Sequence, residues 1–275
     1  MTEPRAFVTG WPIAHSRSPL IHNGWLNDLH LPGAYERIAV EPEAFDTFLT
    51  GFSSRGFVGG NVTIPHKEAA FAGVARRDAA ADAIGAVNTL WIESGRIVGG
   101  NTDAYGFSAN LDERLAGWRD GEAALVLGAG GAARAVVFAL LEAGYSSVAV
   151  VNRTTSRAET LAQSLGPAVS GHGEEDLPRL LAVSDLLINT RPPAADDRRP
   201  DLSGMRDTAL VTDIVYVPLE TPLLRAAAER GLRTADGLGM LLHQAVPGFE
   251  RWFGVRPTVT AALRDRVLAD IGAGP

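Results

Sequence analysis

The sequence predicts an α/β protein whose second half forms a doubly wound parallel sheet. Apolar, strand-like runs alternate with segments of helical spacing along most of the chain, which is typical of layered α/β proteins. Within residues 123–189 the order is β-α-β-α-β, and strands joined through helices in this way run parallel. The 275 residues are enough for one or two domains.

The first hundred residues are predicted to form a smaller α/β unit. Short apolar runs predict strands at 5–10, 35–40 and 58–64, and a hairpin of 87–92 with 96–99. Helical spacing predicts helices at 19–29, 43–52, 67–74 and 79–84.

The second unit begins with a predicted helix at 105–115. Its strands are predicted at 123–127, 147–151, 186–189 and 209–214. Its further helices are predicted at 132–143, 156–165 and 222–230. Two terminal helices, 240–252 and 259–271, have no accompanying strands, so we expect them to return to the first unit. The predicted domains are therefore 1–103 with 240–275, and 104–239.

The composition argues against several classes of protein. Acidic residues outnumber basic ones by 32 to 25, which gives a net charge of −7 and argues against non-specific nucleic-acid binding. The absence of cysteine excludes disulfides and thiolate metal sites, and the sequence predicts no metal site. No apolar run reaches the roughly 18 residues of a membrane span, and the first residues lack the layout of a signal peptide. We therefore expect a cytoplasmic protein that does not bind membranes.

Lys67 is the only lysine among the 25 basic residues. A coding bias towards arginine would explain this count without any function. A chemical role is the alternative, because lysine can exchange its proton whereas arginine stays protonated in proteins. We therefore treat Lys67 as the candidate for acid–base chemistry by a cation.

A glycine-rich turn, Gly128-Ala129-Gly130-Gly131-Ala132-Ala133, connects a predicted strand to a predicted helix. Its glycines permit a tight turn and the close approach of a pyrophosphate, which the helix N-terminus attracts. The pattern predicts a dinucleotide site of the Rossmann type.

The residues after the next strand favour NADP(H) over NAD(H). In NAD-binding proteins an acidic residue usually stands here and holds the ribose diol. In this chain Asn152 stands at the strand end, followed by Arg153, Thr154 and Arg157. A neutral side chain does not repel a 2′-phosphate, and two arginines can bind it. A solvated, capped helix start is the structural alternative.

Several polar positions have a structural as well as a functional interpretation. Ser18 is a predicted N-cap before Pro19, and hydroxyls beside a helix N-terminus could also bind a carboxylate. Asn88 lies in the predicted hairpin, where it could simply face solvent, and Asp103 could simply cap a helix. Taken singly, each position is better explained by structure.

Taken together, these segments resemble the shikimate dehydrogenase family. The resemblance runs in order from residue 10 to 244 and so covers nearly the whole chain. It rests on eight motifs: Gly10-Trp11-Pro12-Ile13-Ala14-His15-Ser16-Arg17-Ser18-Pro19, Asn61-Val62-Thr63-Ile64-Pro65-His66-Lys67, Gly85-Ala86-Val87-Asn88-Thr89, Gly100-Asn101-Thr102-Asp103, Gly128-Ala129-Gly130-Gly131-Ala132, Asn152-Arg153-Thr154, Asp213-Ile214-Val215-Tyr216, and Asp236-Gly237-Leu238-Gly239-Met240 with Gln244.

The resemblance implies NADP(H)-dependent reduction of 3-dehydroshikimate to shikimate in aromatic biosynthesis. It implies a substrate domain and a cofactor domain, with the active site in the cleft between them and Lys67 and Asp103 as the catalytic pair. The implied substrate residues are Ser16 and Ser18 at the carboxylate, and Thr63, Lys67, Asn88, Asp103, Tyr216 and Gln244 around the ring. The implied cofactor residues are Gly128, Ala129, Gly130, Gly131, Ala132, Asn152, Arg153, Thr154, Arg157, Ile214 and Gly237. We expect small-molecule partners and a monomer or homodimer.

Two departures from the family pattern concern the cofactor unit. Ala104 replaces the glycine that usually follows the motif aspartate. Arg191 stands where threonine is common, and two prolines follow it, so the details of cofactor contact at Arg191-Pro192-Pro193 stay open.

Two alternative functions stay open. A quinate/shikimate dehydrogenase could use the same site, although members that use NAD tend to carry an acid where this chain has Asn152. A non-catalytic ligand sensor on the same fold would be expected to lose Lys67 or Asp103, and this chain has both.

Overall fold

A computed structural model describes residues 3–192 and 200–272. The chain forms two compact units, Met1–Thr102 with Leu242–Pro275, and Asp103–Leu241. Each unit contains one six-stranded sheet with helices packed on it. The α/β class predicted from the sequence is therefore confirmed.

The sheet of the first unit is mixed. Its strands are β1 (Arg5–Gly10), β2 (Ala34–Ala39), β3 (Phe57–Val62), β4 (Arg76–Arg77), β5 (Thr89–Glu93) and β6 (Arg96–Gly100). In the order β2-β1-β3-β5-β6-β4, strand β1 runs parallel to β2 and β3, whereas β5 runs antiparallel to β3 and β6. The predicted β5–β6 hairpin is present, and β4 was missed because two residues carry no periodic pattern.

Four helices follow these strands along the first hundred residues. They are α1 (Ser18–Asp28), α2 (Phe45–Gly51), α3 (Lys67–Gly73) and α4 (Ala79–Ile84). Phe7 of β1 packs edge-on against Phe48, Phe52 and Phe57 with ring centroids 5.0–5.3 Å apart, which fixes α2 on the sheet. Helix α2 begins two residues later than predicted because Pro42–Ala44 form a separate 3₁₀ turn.

The sheet of the second unit is entirely parallel. Its strands are β7 (Ala123–Leu127), β8 (Ser147–Val151), β9 (Val169–His172), β10 (Leu186–Asn189), β11 (Leu210–Asp213) and β12 (Arg233–Ala235). Their order is β9-β8-β7-β10-β11-β12, so the direction of strand addition reverses between β7 and β10. This is the doubly wound sheet that the sequence predicts, and such sheets bind ligands at the carboxyl ends of the strands near the reversal.

Among the described residues, six helices accompany this sheet, and the sequence analysis missed one of them. They are α5 (Asp103–Arg114), α6 (Gly131–Glu142), α7 (Thr155–Leu165), α8 (Leu177–Val183), α9 (Pro222–Glu229) and α10 (Leu238–His243). The missed elements are α8 and the two edge strands, β9 and β12. Each is short, and the edge strands contain few of the apolar residues that mark a buried strand.

The end of the chain belongs to the first unit as α11 (Ala245–Phe253) and α12 (Ala261–Gly272). The indole Nε1 of Trp252 on α11 donates a hydrogen bond to the Leu90 carbonyl at 2.8 Å. The prediction of one helix over 240–252 is wrong, because the helix breaks at Gln244. Pro247 explains the break: its ring would clash with the carbonyl of His243 in a continuous helix.

Across the two described ranges, no helix has both the length and the apolar character needed to cross a membrane.

His22 of α1 is an ionisable group in the core of the first unit. Its ring is fully buried and stacks on Tyr35 at 4.1 Å, with Phe249 on α11 at 6.0 Å. Burial lowers the pKa of His22 from 6.5 to about 3, because the protonated ring would lose its hydration. The folded protein therefore holds this histidine neutral.

The buried His22 should make the stability of the protein sensitive to acid. Below pH 6.5 an unfolded chain protonates His22 and the folded chain does not, so stability falls as the pH falls towards 3. Between pH 6.5 and about 5, the free energy of unfolding should drop by about 1–2 kcal/mol from this group. Urea unfolding at several pH values measures the drop. His22→Phe should remove it, whereas the exposed control His15→Gln should keep it. An unchanged slope in His22→Phe would contradict the assignment.

Candidate functional site

Two neighbouring loops at one edge of the first sheet carry candidate substrate residues. Strands β1 and β3 are parallel, so the loop with Ser16 and the loop with Thr63 and Lys67 leave the sheet at the same edge. The Trp11 amide donates a hydrogen bond to the Ile64 carbonyl at 3.1 Å, which joins the two loops directly. The fold thus brings three of the predicted residues to one edge of the sheet.

Lys67 is the first residue of α3 and is half-buried. Its carbonyl accepts a hydrogen bond from the Val87 amide at 3.0 Å. The neighbouring His66 is buried, stacks on Phe45 at 4.3 Å and bonds through Nε2 to a main-chain oxygen at 2.8 Å. The backbone that carries the lysine is therefore fixed on both sides.

Asn88 lies just before β5 and does not face solvent. Its side chain is 3% exposed, so the interpretation as a solvent-facing hairpin residue is wrong. Its Oδ1 accepts hydrogen bonds from the Thr102 amide at 2.9 Å and the Thr89 hydroxyl at 2.8 Å, while its Nδ2 donates to Thr102 Oγ1 at 3.2 Å. Its carbonyl accepts the Val62 amide at 2.8 Å. A buried amide with this many partners has a fixed orientation.

Asn61 continues these hydrogen bonds towards the other side of the sheet. Its Nδ2 donates to the Asn88 carbonyl at 3.1 Å and to Thr89 Oγ1 at 3.2 Å, and its Oδ1 accepts from the Tyr35 hydroxyl at 2.6 Å. Burial raises the pKa of Tyr35 well above its usual value, although its hydrogen bonds with Ser18 and Asn61 partly offset this. Tyr35 is therefore a neutral donor.

Gln244 joins the same set through a 3.5 Å contact of its Oε1 with the Thr102 hydroxyl. We call this set the buried polar network. Its members are Ser18, Tyr35, Asn61, Asn88, Thr89, Thr102 and Gln244. Sequence analysis gave a role to Ser18, Asn88 and Gln244. Asn61, Thr89 and Thr102 stood in the quoted motifs without a role, and Tyr35 was missed. The available signal was a polar residue inside an otherwise apolar strand, as at Asn61.

The two serines before α1 differ from the prediction. Ser18 is not the N-cap: Arg17 holds that position, and Ser18 is already the first helical residue. Ser16 Oγ instead accepts the Ser18 amide at 3.4 Å. The Arg37 guanidinium donates to the Ser16 carbonyl at 2.9 and 2.6 Å, which places a cation beside the loop that sequence analysis did not identify. An anion near Ser16 would be favoured there.

In the second unit, the glycine-rich turn follows β7 and leads into α6. Gly128 has φ +106°, and a Cβ there would lie 2.6 Å from Thr190 Oγ1, so no other residue fits. Gly130 occupies the N-cap position and Gly131 begins the helix, and both are exposed. Ala133 is fully buried where α6 meets the sheet. The turn therefore leaves the helix N-terminus open to an anion.

The residues after β8 also agree with the predicted pattern. The Asn152 amide donates to the His172 carbonyl at 3.2 Å, and its side chain donates to the Thr154 carbonyl at 3.0 Å. Arg153 and Arg157 are exposed, and neither forms an ion pair within the described chain. A neutral amide and two unpaired cations thus stand where the ribose of a dinucleotide lies in this kind of sheet.

A buried aspartate fixes the loop after β11, which carries Ile214 and Tyr216. Burial raises the pKa of Asp213, while the Val215 amide at 3.0 Å and the Thr221 hydroxyl at 2.8 Å partly offset this. Gly237 packs directly on the Ile214 carbonyl, and any Cβ there would collide with it. The fold therefore brings Ile214 and Gly237 together, as a shared cofactor surface requires.

The remaining predicted residue of the catalytic pair, Asp103, is the first residue of α5 in the second unit. Within residues 3–192 and 200–272, no three acidic or histidine side chains are grouped to hold a metal ion. The second unit does fit a dinucleotide: Gly130 and Gly131 would place a Cβ in open space at the N-terminus of α6, so a phosphate can approach the backbone there.

Three family models match successive parts of the chain. The shikimate dehydrogenase substrate binding domain matches residues 8–90, and the shikimate / quinate 5-dehydrogenase model matches 111–193. The shikimate 5′-dehydrogenase C-terminal domain matches 237–265.

Individual relatives cover almost the whole chain. A shikimate dehydrogenase (NADP(+)) from Chelativorans sp. is 58% identical over 273 residues, which is 98% of each chain. The structure of shikimate 5-dehydrogenase from Thermus thermophilus, in complex with NADP(H) and shikimate, is 37% identical with a TM-score of 0.82, over 97% of this chain and 99% of that one. Quinate dehydrogenase from Corynebacterium glutamicum in complex with NAD is 30% identical with a TM-score of 0.87, over the same shares. The chain therefore belongs to the shikimate dehydrogenase family.

Proposed function

We propose that this chain is an NADP-dependent shikimate dehydrogenase, which reversibly reduces 3-dehydroshikimate to shikimate in aromatic biosynthesis. The observation that carries the proposal is the 58% identity, over 98% of both chains, to a relative named for this NADP(+)-linked activity. We further propose that it works in the cytoplasm as a monomer or homodimer.

The first unit supplies a pre-formed polar surface for the substrate. Ser16 and Ser18 bind the carboxylate, with the Arg37 guanidinium nearby to favour the anion. Asn88 and Gln244 are held by the buried polar network, so their side chains are pre-oriented for the hydrogen bonds that we propose with ring hydroxyls. Thr63, and Tyr216 of the second unit, complete the proposed set of residues around the ring.

The second unit supplies the cofactor surface. The N-terminus of α6, with Gly128 to Ala132, holds the pyrophosphate of NADP(H). Asn152, Arg153, Thr154 and Arg157 surround the adenosine ribose and its 2′-phosphate. Ile214 and Gly237 pack together and support the nicotinamide side.

The chemistry requires Lys67 and Asp103 at the reacting oxygen. NADPH, when bound, supplies the hydride that adds to the ketone carbon. Negative charge then develops on the ketone oxygen, which the Lys67 ammonium stabilises and protonates. The Asp103 carboxylate orients the ammonium in this proposal. In the oxidation of shikimate, Lys67 takes the proton back.

Two specific features argue against the alternatives. Asn152 removes the acidic residue that an NAD-linked quinate dehydrogenase would use on the ribose diol. Lys67 and Asp103 are both present, whereas a ligand sensor without catalysis has no need of the pair.

One assay separates these functions. Purified protein is mixed with shikimate or quinate and with NADP⁺ or NAD⁺, and the absorbance of the reduced nicotinamide is followed. We expect rapid reduction with shikimate and NADP⁺ and much slower reduction in the other three mixtures. Faster turnover of quinate with NAD⁺ would support the sibling activity, and binding without turnover would support the sensor.

Gly130→Ala tests the phosphate site without disturbing the fold. Gly130 has φ −97° and ψ −172°, which any residue adopts, and an added Cβ meets no protein atom. We therefore expect the melting temperature to be unchanged and NADP⁺ affinity to fall by at least roughly tenfold, since one blocked charge-assisted contact costs about 1.5–3 kcal/mol. Gly51→Ala, another glycine with open space in the first unit, is the matched control. Calorimetric NADP⁺ binding as tight as in the wild type would contradict the site.

Replacement of Lys67 tests the proton donor. Lys67→Ala should lower kcat by about 10²–10⁴, the usual contribution of general acid–base catalysis, with a much smaller change in KM. Lys67→Arg keeps the charge but gives up its proton too reluctantly, so it should be nearly as slow. Both variants should still bind shikimate by calorimetry, and Glu68→Gln, on the adjacent exposed residue, should behave as wild type. Near-wild-type turnover in Lys67→Arg would exclude the proton-transfer role.

A further inference from the structure

An ion pair crosses the carboxyl edge of the second sheet. Arg191 Nη2 lies 3.1 Å from Glu174 Oε1. Arg191 follows β10 by two residues, and Glu174 follows β9 by two residues. Because the sheet order is β9-β8-β7-β10, the two side chains must span the ends of β7 and β8. At about 4.8 Å between strands, three spacings amount to roughly 14 Å, which the two side chains cover together.

Both ends of this bridge touch parts of the proposed cofactor site. A Cβ added to Gly128 would lie 3.3 Å from Arg191 Cγ, so the arginine stem lies over the glycine-rich turn. The Arg191 amide is held by Asn189 Oδ1 at 3.2 Å, which fixes where the side chain starts. At the other end, Glu174 follows His172, whose carbonyl accepts the Asn152 amide. The guanidinium therefore passes over the end of β8.

The pair is close but poorly formed. Nη2 is shielded from solvent, yet no acceptor among the described residues completes a hydrogen bond of normal geometry with it. A guanidinium pairs best with two parallel hydrogen bonds to one anion, which this arrangement lacks. The Glu174 side chain is 41% exposed and sits on a short 3₁₀ turn, so it can move away at little cost. An anion that offers well-aligned acceptor oxygens would therefore displace Glu174 from the Arg191 guanidinium.

We propose that Arg191 binds the 2′-phosphate of NADP(H), as a third arginine beside Arg153 and Arg157, and that Glu174 is its partner only until the cofactor binds. This rests on the proposed use of NADP(H). In a doubly wound sheet the adenosine ribose lies at the end of the second strand, here β8, where the guanidinium passes. A phosphate dianion offers three strong acceptor oxygens and binds arginine better than a misaligned carboxylate does.

The arrangement also gives Glu174 a defined effect. Once the arginine has turned to the phosphate, the carboxylate is left near a dianion and repels it. Glu174 therefore weakens NADP(H) binding, whereas Arg191 strengthens it. Threonine, the residue common at this position in the family, is too short to reach the end of β8, so the contribution is particular to this chain.

Calorimetric titration with two nucleotide fragments tests the proposal. The fragments are 2′,5′-ADP, which carries the 2′-phosphate, and 5′-ADP, which does not. Arg191→Thr should weaken 2′,5′-ADP binding by roughly tenfold or more, as for one charge-assisted hydrogen bond, and change 5′-ADP binding by less than about twofold. Arg206→Ala is the matched control, because this arginine of the second unit pairs at 2.9 Å with Asp185, ahead of β10 at the opposite edge. It should leave both affinities unchanged.

Glu174→Gln is the second variant, and it should change 2′,5′-ADP affinity in the direction opposite to Arg191→Thr. It breaks the same ion pair but keeps the guanidinium, so 2′,5′-ADP should bind about twofold to fivefold more tightly. In Arg191→Thr with Glu174→Gln, affinity should stay well below that of the wild type, since the phosphate ligand is missing.

Three results would overturn the proposal. They are an unchanged 2′,5′-ADP affinity in Arg191→Thr, an equal loss for 5′-ADP, which would place the arginine on the pyrophosphate, and full recovery in the double variant. If the wild type itself does not prefer 2′,5′-ADP over 5′-ADP, the proposed NADP(H) function fails as well. If the wild type prefers 2′,5′-ADP but Arg191→Thr binds 2′,5′-ADP as tightly as the wild type does, only the inference about Arg191 fails.

Discussion

The hydrogen bonding of the buried Asn88 amide is the constraint on which the polar residues of the first unit depend. An unpaired amide at this depth would cost about 1–3 kcal/mol, so the fold must bring donors and acceptors to it. It does so with Thr102 and Thr89, while Asn61 donates to the Asn88 main-chain carbonyl. Satisfying one buried side chain thereby aligns the strand ends and the start of the returning helix. The same hydrogen bonds hold both the core and the surface that we propose for the substrate.

In the second unit, close packing of the main chain rather than hydrogen bonding of side chains fixes the surface that we propose for the cofactor. Gly128 and Gly237 are required where two backbone segments, or a backbone and a side chain, approach too closely for a Cβ. Gly130 has no such need within the protein, and its small size would let a phosphate approach the backbone at the start of α6. Asp213 then holds the loop after β11 with hydrogen bonds at both carboxylate oxygens. Binding geometry on this side follows from close backbone packing.

Much of this could be predicted from the sequence, and the failures have physical causes. The parallel sheet followed from alternation of apolar runs, and the dinucleotide turn from glycines between a strand and a helix. The prediction of Ser18 as an N-cap failed because Arg17 already has the capping position and Ser18 turns inward to Tyr35. Tyr35 itself was missed, because a tyrosine in a strand looks like ordinary core until its hydroxyl partner is known. Long-range partners such as Glu174 for Arg191 carry no local signal at all.

The proposed reaction is direct hydride transfer between a nicotinamide and the ketone carbon of 3-dehydroshikimate. The most direct test is a single-turnover reaction of the purified protein with 3-dehydroshikimate and NADPH that is fully deuterated at the reactive nicotinamide carbon. Mass spectrometry and NMR of the product should find one deuterium on the new carbinol carbon of shikimate, with no loss of the label to water. Shikimate without deuterium at that carbon, or no shikimate at all, would contradict the account.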